Sequence, residues 1–420
     1  METHEPSITR GADFYKSTMS QFEYERHPNT EVTFTFKNRG KEPLSRYVAP
    51  EELRERFDTI MRNGFQPEEI ACLASFQAQD GTARFTAEYL DHLADMQLPE
   101  LEIGTDPQTG DIAIETTGPW SDVSFWETVV MSEVNEAFYQ GKLAAEGLSL
   151  ADLYAEGDRR LSEKIARLRA RPDIKIAEFG TRRRFSAAWQ QHVIERLATE
   201  CPDNLVGTSN IWFAYKFGLR PIGTFAHELP MVSAALEDLR GGNPLDGHDR
   251  VIDDWSQRYP DLRIMLPDTY TSQLCLSSLT REQLETWRGF RHDSGDPIKF
   301  GEQLLALYKK YNINPREKLL VPSDGLDMEK MERIANHFGD RINLFHGLGT
   351  NATNDLGLPA NNFVMKATYV RTPERPEGTP AVKLSDENGK HTGPEWQVRR
   401  YQQFVRERIA QRAMNQLVRV

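Results

Sequence analysis

Five short segments of this chain carry residue types suited to chemistry on phosphates and sugars. They are EFGTR (178–182), GTFAHELP (223–230), RHDSGDP (291–297), PSDG (322–325) and HGLGTN (346–351). Each follows a predicted strand, and ligands of parallel α/β folds bind at the carboxyl ends of strands. No single segment is diagnostic, but their coincidence predicts one active-site rim.

The two glycine-containing loops at the end of this series have weak individual signals. In HGLGTN, the backbone at Gly349 can approach a phosphate closely and Thr350 can donate its hydroxyl. A plain strand-to-loop turn explains that segment about as well. In PSDG, Asp324 before Gly325 could accept hydrogen bonds from vicinal hydroxyls. A turn or helix cap is the more common role of such a pair.

Charged residues make RHDSGDP and GTFAHELP more specific. Arg291 suits a phosphate, and Asp293 suits a sugar hydroxyl or hydrated magnesium. Asp296 directly precedes Pro297, which predicts a helix N-cap followed by proline at the first helical position. A lone histidine such as His227 is usually structural. Its place on the same predicted rim favours a catalytic role.

The segment EFGTRRRFS pairs an aromatic side chain with arginines at a strand-to-helix turn. The face of Phe179 and a guanidinium can together hold a flat anionic ring, by stacking and by a charge-assisted hydrogen bond. Arg183 and Arg184 are expected only to coat a solvated helix face.

The surrounding elements predict an α/β protein. Residues 1–125 mix an alternating strand (EVTFTFKNRG), a helix (PEELRERFDTIMRNG) and a hairpin (LPELEIGTDPQTGDIAIETTG), which indicates an N-terminal α/β sandwich domain. From residue 174, short apolar runs including RPIGTFA alternate with helices. About eight such units over roughly 200 residues indicate an irregular TIM-like (β/α) barrel, assigned to 126–370. Residues 371–420 are expected to pack back on the N-terminal domain.

Composition narrows the class of function. The net charge of −12 disfavours non-specific nucleic-acid binding. Three scattered cysteines argue against a disulfide framework or a structural zinc site. The N-terminal stretch does not resemble a signal peptide, and no run reaches the roughly 18 apolar residues of a membrane span. We therefore expect a cytoplasmic enzyme without membrane contact.

Together the segments resemble those of bacterial nicotinate phosphoribosyltransferases, in the type II phosphoribosyltransferase group. The resemblance extends from DFYKSTM (13–19) through GTSNIWFA (207–214) and LPDTYTS (266–272) to KLSDENGK (383–390). It implies transfer of phosphoribose from phosphoribosyl pyrophosphate to nicotinate in NAD biosynthesis, giving nicotinate mononucleotide and pyrophosphate. Magnesium as cofactor and ATP as co-substrate are implied too.

The same resemblance assigns a role to each candidate site residue. His227 would carry a phosphate from ATP, and Phe179 and Arg182 would hold the nicotinate ring. Tyr15 would stack on the other side of the ring, from the second subunit of a homodimer. The remaining candidates would bind ribose, phosphate or magnesium. They are Asp268, Arg291, Asp293, Ser294, Asp324, Gly325, Gly349 and Thr350, with Gly180 beside Phe179. Asp268 and Asp293 would hold magnesium through water.

Ser209 bears on which base is used. The related nicotinamide enzyme carries an aspartate there, which would repel nicotinate, whereas a serine hydroxyl can donate to it. His346 departs from the family, in which phenylalanine is expected, and leaves the local packing open. The alternatives are nicotinamide phosphoribosyltransferase, a barrel that has lost catalysis and acts as a binding partner, and a metal-dependent hydrolase.

Overall fold

The computed structural model describes residues 6–387 and 389–417 of the 420-residue chain. Residues 1–5 of the N-terminal stretch and Asn388 of KLSDENGK lie outside the described residues. The chain divides into two compact units. The first comprises residues 6–223 with Gly325–Met328 and Gly347–Lys366, and the second comprises Thr224–Asp324, Glu329–His346 and the residues from Ala367 onward. The predicted boundaries at residues 125 and 370 stay predictions.

Twelve strands occur in the described residues. They are β1 (Glu31–Asn38), β2 (Leu101–Thr105), β3 (Ile112–Pro119), β4 (Ile176–Glu178), β5 (Leu205–Thr208), β6 (Ile264–Met265), β7 (Gly289–His292), β8 (Leu319–Pro322), β9 (Asn343–Leu344), β10 (His346–Leu348), β11 (Phe363–Thr372) and β12 (Arg375–Pro380).

Eighteen α-helices accompany them in the same part of the chain. They are α1 (Ile8–Gly11), α2 (Phe14–Arg26), α3 (Pro50–Asn63), α4 (Pro67–Ala74), α5 (Ala87–Asp95), α6 (Trp120–Val123), α7 (Trp126–Glu146), α8 (Leu150–Ala170), α9 (Ala187–Glu200), α10 (Ile211–Lys216), α11 (Glu228–Leu239), α12 (Pro244–Arg258), α13 (Ser272–Ser278), α14 (Arg281–Thr286), α15 (Pro297–Lys310), α16 (Met328–Phe338), α17 (Thr350–Thr353) and α18 (Glu395–Leu417).

The first unit contains the predicted N-terminal strand, helix and hairpin. β1 pairs antiparallel with β3, and β3 with β2, as the alternating patterns predict. Val32, Phe34 and Phe36, at alternate positions of β1, are buried, and Thr33 between them is buried too. α3 begins with Pro50 at its first turn and ends before Gly64, whose positive φ of 55° suits glycine. Its buried residue Phe57 contacts Trp126 of α7, with ring centroids 5.6 Å apart.

A small parallel sheet also belongs to the first unit, with strand order β10-β4-β5. The prediction of a strand over RPIGTFA is wrong. In that segment Pro221 forms an isolated parallel bridge to Thr208 and no strand is present. The physical reason is that proline lacks the N–H needed to continue a ladder.

The second unit contains a parallel sheet with strand order β6-β7-β8-β9. Helices α13 to α16 occur between its strands, which is the alternation that the sequence predicts. The α/β class with parallel sheets and an N-terminal domain is therefore confirmed. Closure of these ladders into a barrel stays a prediction.

The C-terminal helix α18 packs against α12 and α13 of the second unit. Val398, Tyr401 and Val405 of α18 enter one apolar cluster with Tyr270 and Leu274. The expected packing of the C-terminal segment on the N-terminal domain stays a prediction. No helix in the described part of the chain is long and apolar enough to cross a bilayer.

Candidate functional site

Two clusters of charged and polar side chains contain six of the fourteen predicted site residues. The first, called the Arg182 cluster, lies in the first unit; its members are Asp13, Tyr15, Lys16, Glu127, Arg182, Ser209 and Lys366. The second, called the His227 cluster, lies in the second unit; its members are His227, Asp268, Thr269, Asp293 and Lys383.

Backbone pairing fixes the start of α2 in the Arg182 cluster. Asp13 forms an antiparallel bridge with Asn210. The N–H of Phe14 donates to the carbonyl of Ser209 at 2.6 Å, and the N–H of Ile211 donates to the carbonyl of Ala12 at 3.3 Å. The DFYK and GTSN segments therefore lie side by side although they are far apart in sequence.

Asp13 connects two of the predicted substrate-binding residues. Ser209 Oγ donates to Asp13 Oδ1 at 2.7 Å, and Arg182 Nε lies 3.3 Å from Asp13 Oδ2. Asp13 is 1% exposed, whereas the Arg182 side chain is 26% exposed. Burial raises the pKa of Asp13, against the opposing effects of Arg182 and Ser209. In this arrangement the single proton of Ser209 is already directed to a carboxylate.

Glu127, in the first turn of α7, collects the cations of the same cluster. Its carboxylate lies 2.7 Å from Lys16 Nζ, and 3.6 Å from both Arg182 and Lys366 Nζ. Burial opposes ionisation, but the charges of Lys16, Lys366 and Arg182 outweigh it and hold the pKa of Glu127 at about 2. A permanently ionised carboxylate therefore holds three cations together.

Glu178 braces the loop that carries Phe179 and Arg182. Its side chain accepts from the N–H of Gly180 at 2.5 Å and from Thr208 Oγ1 at 2.5 Å. Burial raises its pKa to about 7 despite these donors. A Cβ at Gly180 would overlap Thr353 Oγ1, so only glycine fits there.

Tyr15 lies beside Arg182 within the same chain, with the guanidinium carbon 5.8 Å from the ring centroid. Tyr15 is buried, and burial raises its pKa. Phe179 is half-buried, and its carbonyl oxygen would lie 3.3 Å from a Cβ at Gly349. Gly349 precedes Thr350, the first residue of the short helix α17. The predicted ring residues and phosphate loop thus belong to one unit.

The expectation for Arg184 is wrong. Its side chain is 1% exposed rather than solvated, and NH2 donates to Glu133 at 3.1 Å. NH1 donates to the carbonyl of Arg10 at 2.5 Å. The side chain points into the protein just before α9, where a carboxylate, a carbonyl and the amide of Gln190 accept from its two terminal nitrogens.

The imidazole of His227 lies among polar partners at the start of α11. Nδ1 is 2.9 Å from Thr269 Oγ1, and Nε2 is 2.9 Å from Lys383 Nζ. Nε2 also lies 3.2 Å from Asp293 Oδ2 and 3.5 Å from Asp268 Oδ1. An ammonium group has only donors, which assigns Nε2 as acceptor from Lys383 and places the imidazole proton on Nδ1.

Burial, and then the charge of Lys383, lower the pKa of His227. The neighbouring carboxylates raise it, but they do not reverse the direction. The neutral imidazole that results has a lone pair, as a nucleophile requires.

Asp268 and Asp293 are each held by a second predicted site residue. Ser294 Oγ donates to Asp268 Oδ2 at 2.7 Å, and Arg291 donates to Asp293 Oδ1 at 3.0 Å. Burial opposes ionisation of Asp293, but the charges of Arg291 and Lys383 hold its pKa well below its ordinary value. The side chain of Ser323 also donates to Asp293 at 3.0 Å.

Asp324 lies at the end of β8, exposed and 3.5 Å from Lys390 Nζ. Partial burial raises its pKa. The following Gly325 has a positive φ of 55°, which explains the glycine. Asp296 caps α15 by accepting from two backbone N–H groups, and Pro297 opens that helix, as predicted.

The carboxylates of the His227 cluster fit a hydrated divalent cation. Asp268 Oδ1 is buried and makes no hydrogen bond in the described residues, although His227 lies 3.5 Å away. Such an oxygen can accept from metal-bound water. No group of three or more His, Cys, Asp or Glu side chains in the described residues is arranged to hold a metal ion.

Several site residues were not predicted from the sequence. Asp13 and Lys16 flank Tyr15 in DFYK, and Lys383 opens KLSDENGK, so their motifs marked them without assigning a role. Glu127 lies inside a helix with no local signal. His346 is fully buried.

Comparison with known proteins identifies the class to which this fold and these clusters belong. The model of the nicotinate phosphoribosyltransferase (NAPRTase) family matches residues 174–417, and the model of the NAPRTase N-terminal domain matches residues 11–135. The chain belongs to the nicotinate phosphoribosyltransferase family. Nicotinate phosphoribosyltransferase activity in NAD biosynthesis is supported by this membership.

Solved structures agree over nearly the whole chain. A nicotinate phosphoribosyltransferase from Porphyromonas gingivalis is 27% identical with a TM-score of 0.84, covering 95% of this chain and 99% of that one. One from Vibrio cholerae is 26% identical with a TM-score of 0.85, covering 99% and 98%. A putative one from Saccharomyces cerevisiae is 25% identical with a TM-score of 0.80, covering 96% and 99%.

Proposed function

We propose that this chain transfers phosphoribose from phosphoribosyl pyrophosphate to nicotinate and couples the transfer to ATP hydrolysis through a phosphate on His227. The observation that carries the proposal is the His227 cluster, a neutral imidazole held between a buried lysine and two carboxylates in a member of this family.

In the transfer step, the ring nitrogen of nicotinate forms a bond to the anomeric carbon, and the bond from that carbon to the pyrophosphate oxygen breaks. The bonding pair leaves with pyrophosphate. The sugar becomes oxocarbenium-like, and the negative carboxylates Asp293 and Asp324 stabilise that positive charge. Arg291 offsets the growing charge of the leaving group.

Arg182 is the proposed partner of the nicotinate carboxylate, with Phe179 and Tyr15 at the ring. Arg182 and Lys366 are the partly exposed cations of the network, and of these Arg182 lies beside the ring of Tyr15, which supports this assignment. Gly349 and Thr350 are proposed to bind the 5-phosphate, and Ser294 and Gly325 to complete the ribose side. Asp268 and Asp293 would hold magnesium through water, and the ion would supply positive charge to the departing pyrophosphate.

A homodimer is part of the proposal. The contribution of Tyr15 across its interface stays a prediction, because Tyr15 already lies beside Arg182 of its own chain. A cytoplasmic location also stays a prediction.

One observation favours the nicotinamide alternative. Asp13 lies within hydrogen-bond distance of Ser209, the position at which the nicotinamide enzyme carries an aspartate. A paired assay of nicotinate and nicotinamide with phosphoribosyl pyrophosphate decides between them. We expect turnover of nicotinate, and turnover of the amide alone would reject the choice.

The phosphohistidine is tested by mass spectrometry of the full chain after incubation with ATP and magnesium, kept at alkaline pH to protect the acid-labile phosphate. We expect one phosphate in the wild type and in His337→Ala, an exposed control histidine, and none in His227→Ala. A wild type without phosphate, or a phosphorylated His227→Ala variant, would reject the mechanism.

A further inference from the structure

The residue proposed to bind the nicotinate carboxylate already has two buried carboxylates beside it. Arg182 Nε lies 3.3 Å from Asp13, and its NH1 lies 3.6 Å from Glu127. A third carboxylate at the same guanidinium would place three negative charges around it. Like charges at this separation in a buried site strongly disfavour simultaneous ionisation.

Of the two resident carboxylates, Asp13 is the one that can give up its charge. Glu127 keeps a pKa of about 2 because Lys16, Lys366 and Arg182 surround it. Asp13 has one cationic neighbour, Arg182, and burial already raises its pKa.

Asp13 is unable to move away when a further anion arrives. Its backbone is bridged to Asn210, and the flanking residues bond to Ser209 and Ile211. Its Oδ1 remains an acceptor for Ser209, so a proton can be added at Oδ2, the oxygen that faces Arg182. Protonation therefore relieves the repulsion more readily than displacement does.

We infer that Asp13 is a positioning residue that takes up a proton from solvent when nicotinate binds to Arg182, and that this uptake sets the preference between the acid and the amide. The inference rests on the proposed function, which assigns the base to Arg182. The charges balance: nicotinate, ionised Asp13 and one proton give nicotinate bound beside neutral Asp13. Arg182 stays protonated throughout.

The groups that face Asp13 from every neighbouring element fix the sign of the effect. They are Arg182 from its loop, Glu127 from α7, Glu178 from β4 and Tyr15 from α2, with Lys16 and Lys366 behind Glu127. Nicotinate adds a negative charge to this set, which favours the protonated form of Asp13. Nicotinamide adds none.

Nicotinate binding should therefore weaken as pH rises, whereas nicotinamide binding should not. Between the pKa of Asp13 in the free enzyme and its pKa with nicotinate bound, the KM for nicotinate should rise about tenfold per pH unit, as expected for uptake of one proton. The rate with nicotinate divided by the rate with nicotinamide, both at low substrate concentration, should therefore fall as pH rises.

The test is steady-state kinetics of the full chain with each base between about pH 5.5 and 9, over which the charge of nicotinate is constant. In Asp13→Asn, a neutral acceptor replaces the carboxylate, and the KM for nicotinate should be lower than in the wild type and independent of pH. The exposed control Asp80→Asn should keep the wild-type profile. A merely structural role predicts a raised KM for both bases at every pH with an unchanged slope, which would overturn the inference.

A second variant keeps the test decisive if Asp13→Asn fails to fold. Ser209→Ala removes a donor to the Asp13 carboxylate, so the rise in KM should begin at higher pH. An unchanged onset would contradict the inference. Arg182→Gln distinguishes failure of the proposed function from failure of this inference. An unchanged KM for nicotinate in that variant means that nicotinate does not bind to Arg182. A raised KM in Arg182→Gln with a pH-independent KM in the wild type means that only the proton uptake is wrong.

Discussion

The Arg182 cluster and the His227 cluster both pair carboxylates with cations, yet the pKa values of Asp13 in the first and Asp293 in the second are shifted in opposite directions. Burial raises the pKa of Asp13, whereas the charges of Arg291 and Lys383 hold the pKa of Asp293 well below its ordinary value. Glu127 is the acid of the first cluster whose pKa is lowered too. The origins of the two clusters differ as well. Asp268 and Asp293 follow neighbouring parallel strands, while the members of the Arg182 cluster come from helices, loops and strand β11 of the first unit.

This difference separates two tasks. A site that stabilises a positive transition state needs carboxylates that stay ionised. A site that discriminates an anionic base from a neutral one gains from an acid whose charge responds to the ligand. Substitutions around the two clusters should therefore differ in their effects on stability, on its pH dependence and on the rate of phosphorylation.

The largest expected effect comes from Glu127→Gln, which takes the central anion out of the Arg182 cluster. Lys16, which is fully buried, loses its 2.7 Å carboxylate partner, and removal of one partner of a buried ion pair costs about 3–5 kcal/mol. The midpoint of urea unfolding measures the loss. The exposed Glu163→Gln, which breaks a surface pair with Arg159, should change stability by less than about 0.5 kcal/mol. Equal losses in the two variants would contradict the role of Glu127.

The next largest effect is expected from Glu178→Gln, in which the free energy of unfolding should depend on pH differently from that of the wild type. The folded-state pKa of about 7 exceeds the ordinary value of 4.5, so the wild type loses stability as pH rises between these values. The interval corresponds to about 3 kcal/mol. Glutamine does not titrate. The free energy of unfolding of the variant, relative to that of the wild type, should therefore rise by up to that amount between pH 5 and 8.

Urea unfolding of both proteins at each pH measures this difference, and lost hydrogen bonds add only a constant offset. A difference in stability that stays flat across the range would show that Glu178 does not titrate there.

A smaller effect is expected from Lys383→Met in the His227 cluster. It removes a donor to His227 Nε2 and a cation 3.4 Å from Asp268. A hydrogen bond from this charged group to the incoming phosphoryl group would contribute about 1.5–3 kcal/mol, so its loss should slow phosphorylation of His227 by ATP about 10- to 100-fold. Lys309→Met, on the exposed side of α15, is the control. A wild-type rate in Lys383→Met would remove the lysine from the proposed mechanism.

The sequence predicted the parts of the molecule that depend on local pattern. The helix α3, the hairpin β2–β3 and the capped start of α15 all have turn and cap residues that specify them. Segments at the ends of β4, β7, β8 and β10 were predicted because polar residues directly follow short apolar runs.

Partners across the fold were not predictable in this way. Hydrophobic periodicity reports which face of an element is buried, but not which side chain lies opposite. Glu127 is one acid among many in a helical stretch, and Arg184 looks like any surface arginine beside Arg183. For the same reason the contact of Ser209 with Asp13, rather than with solvent, had no sequence signal.

The bridge between Asp13 and Asn210 has a consequence for the order in which the chain folds. The Asp13–Ser209 contact spans 196 residues, so the loop that it closes is longer than the commonest domain length of about 100–150 residues. At a synthesis rate of about 5–20 residues per second, Asp13 at the start of α2 is made about 10–40 s before Ser209. During that interval the carboxylate of Asp13 and the backbone N–H of Phe14 lack their partners in Ser209. The recognition site for the base is thus completed late in biogenesis, and the chain must stay soluble until then.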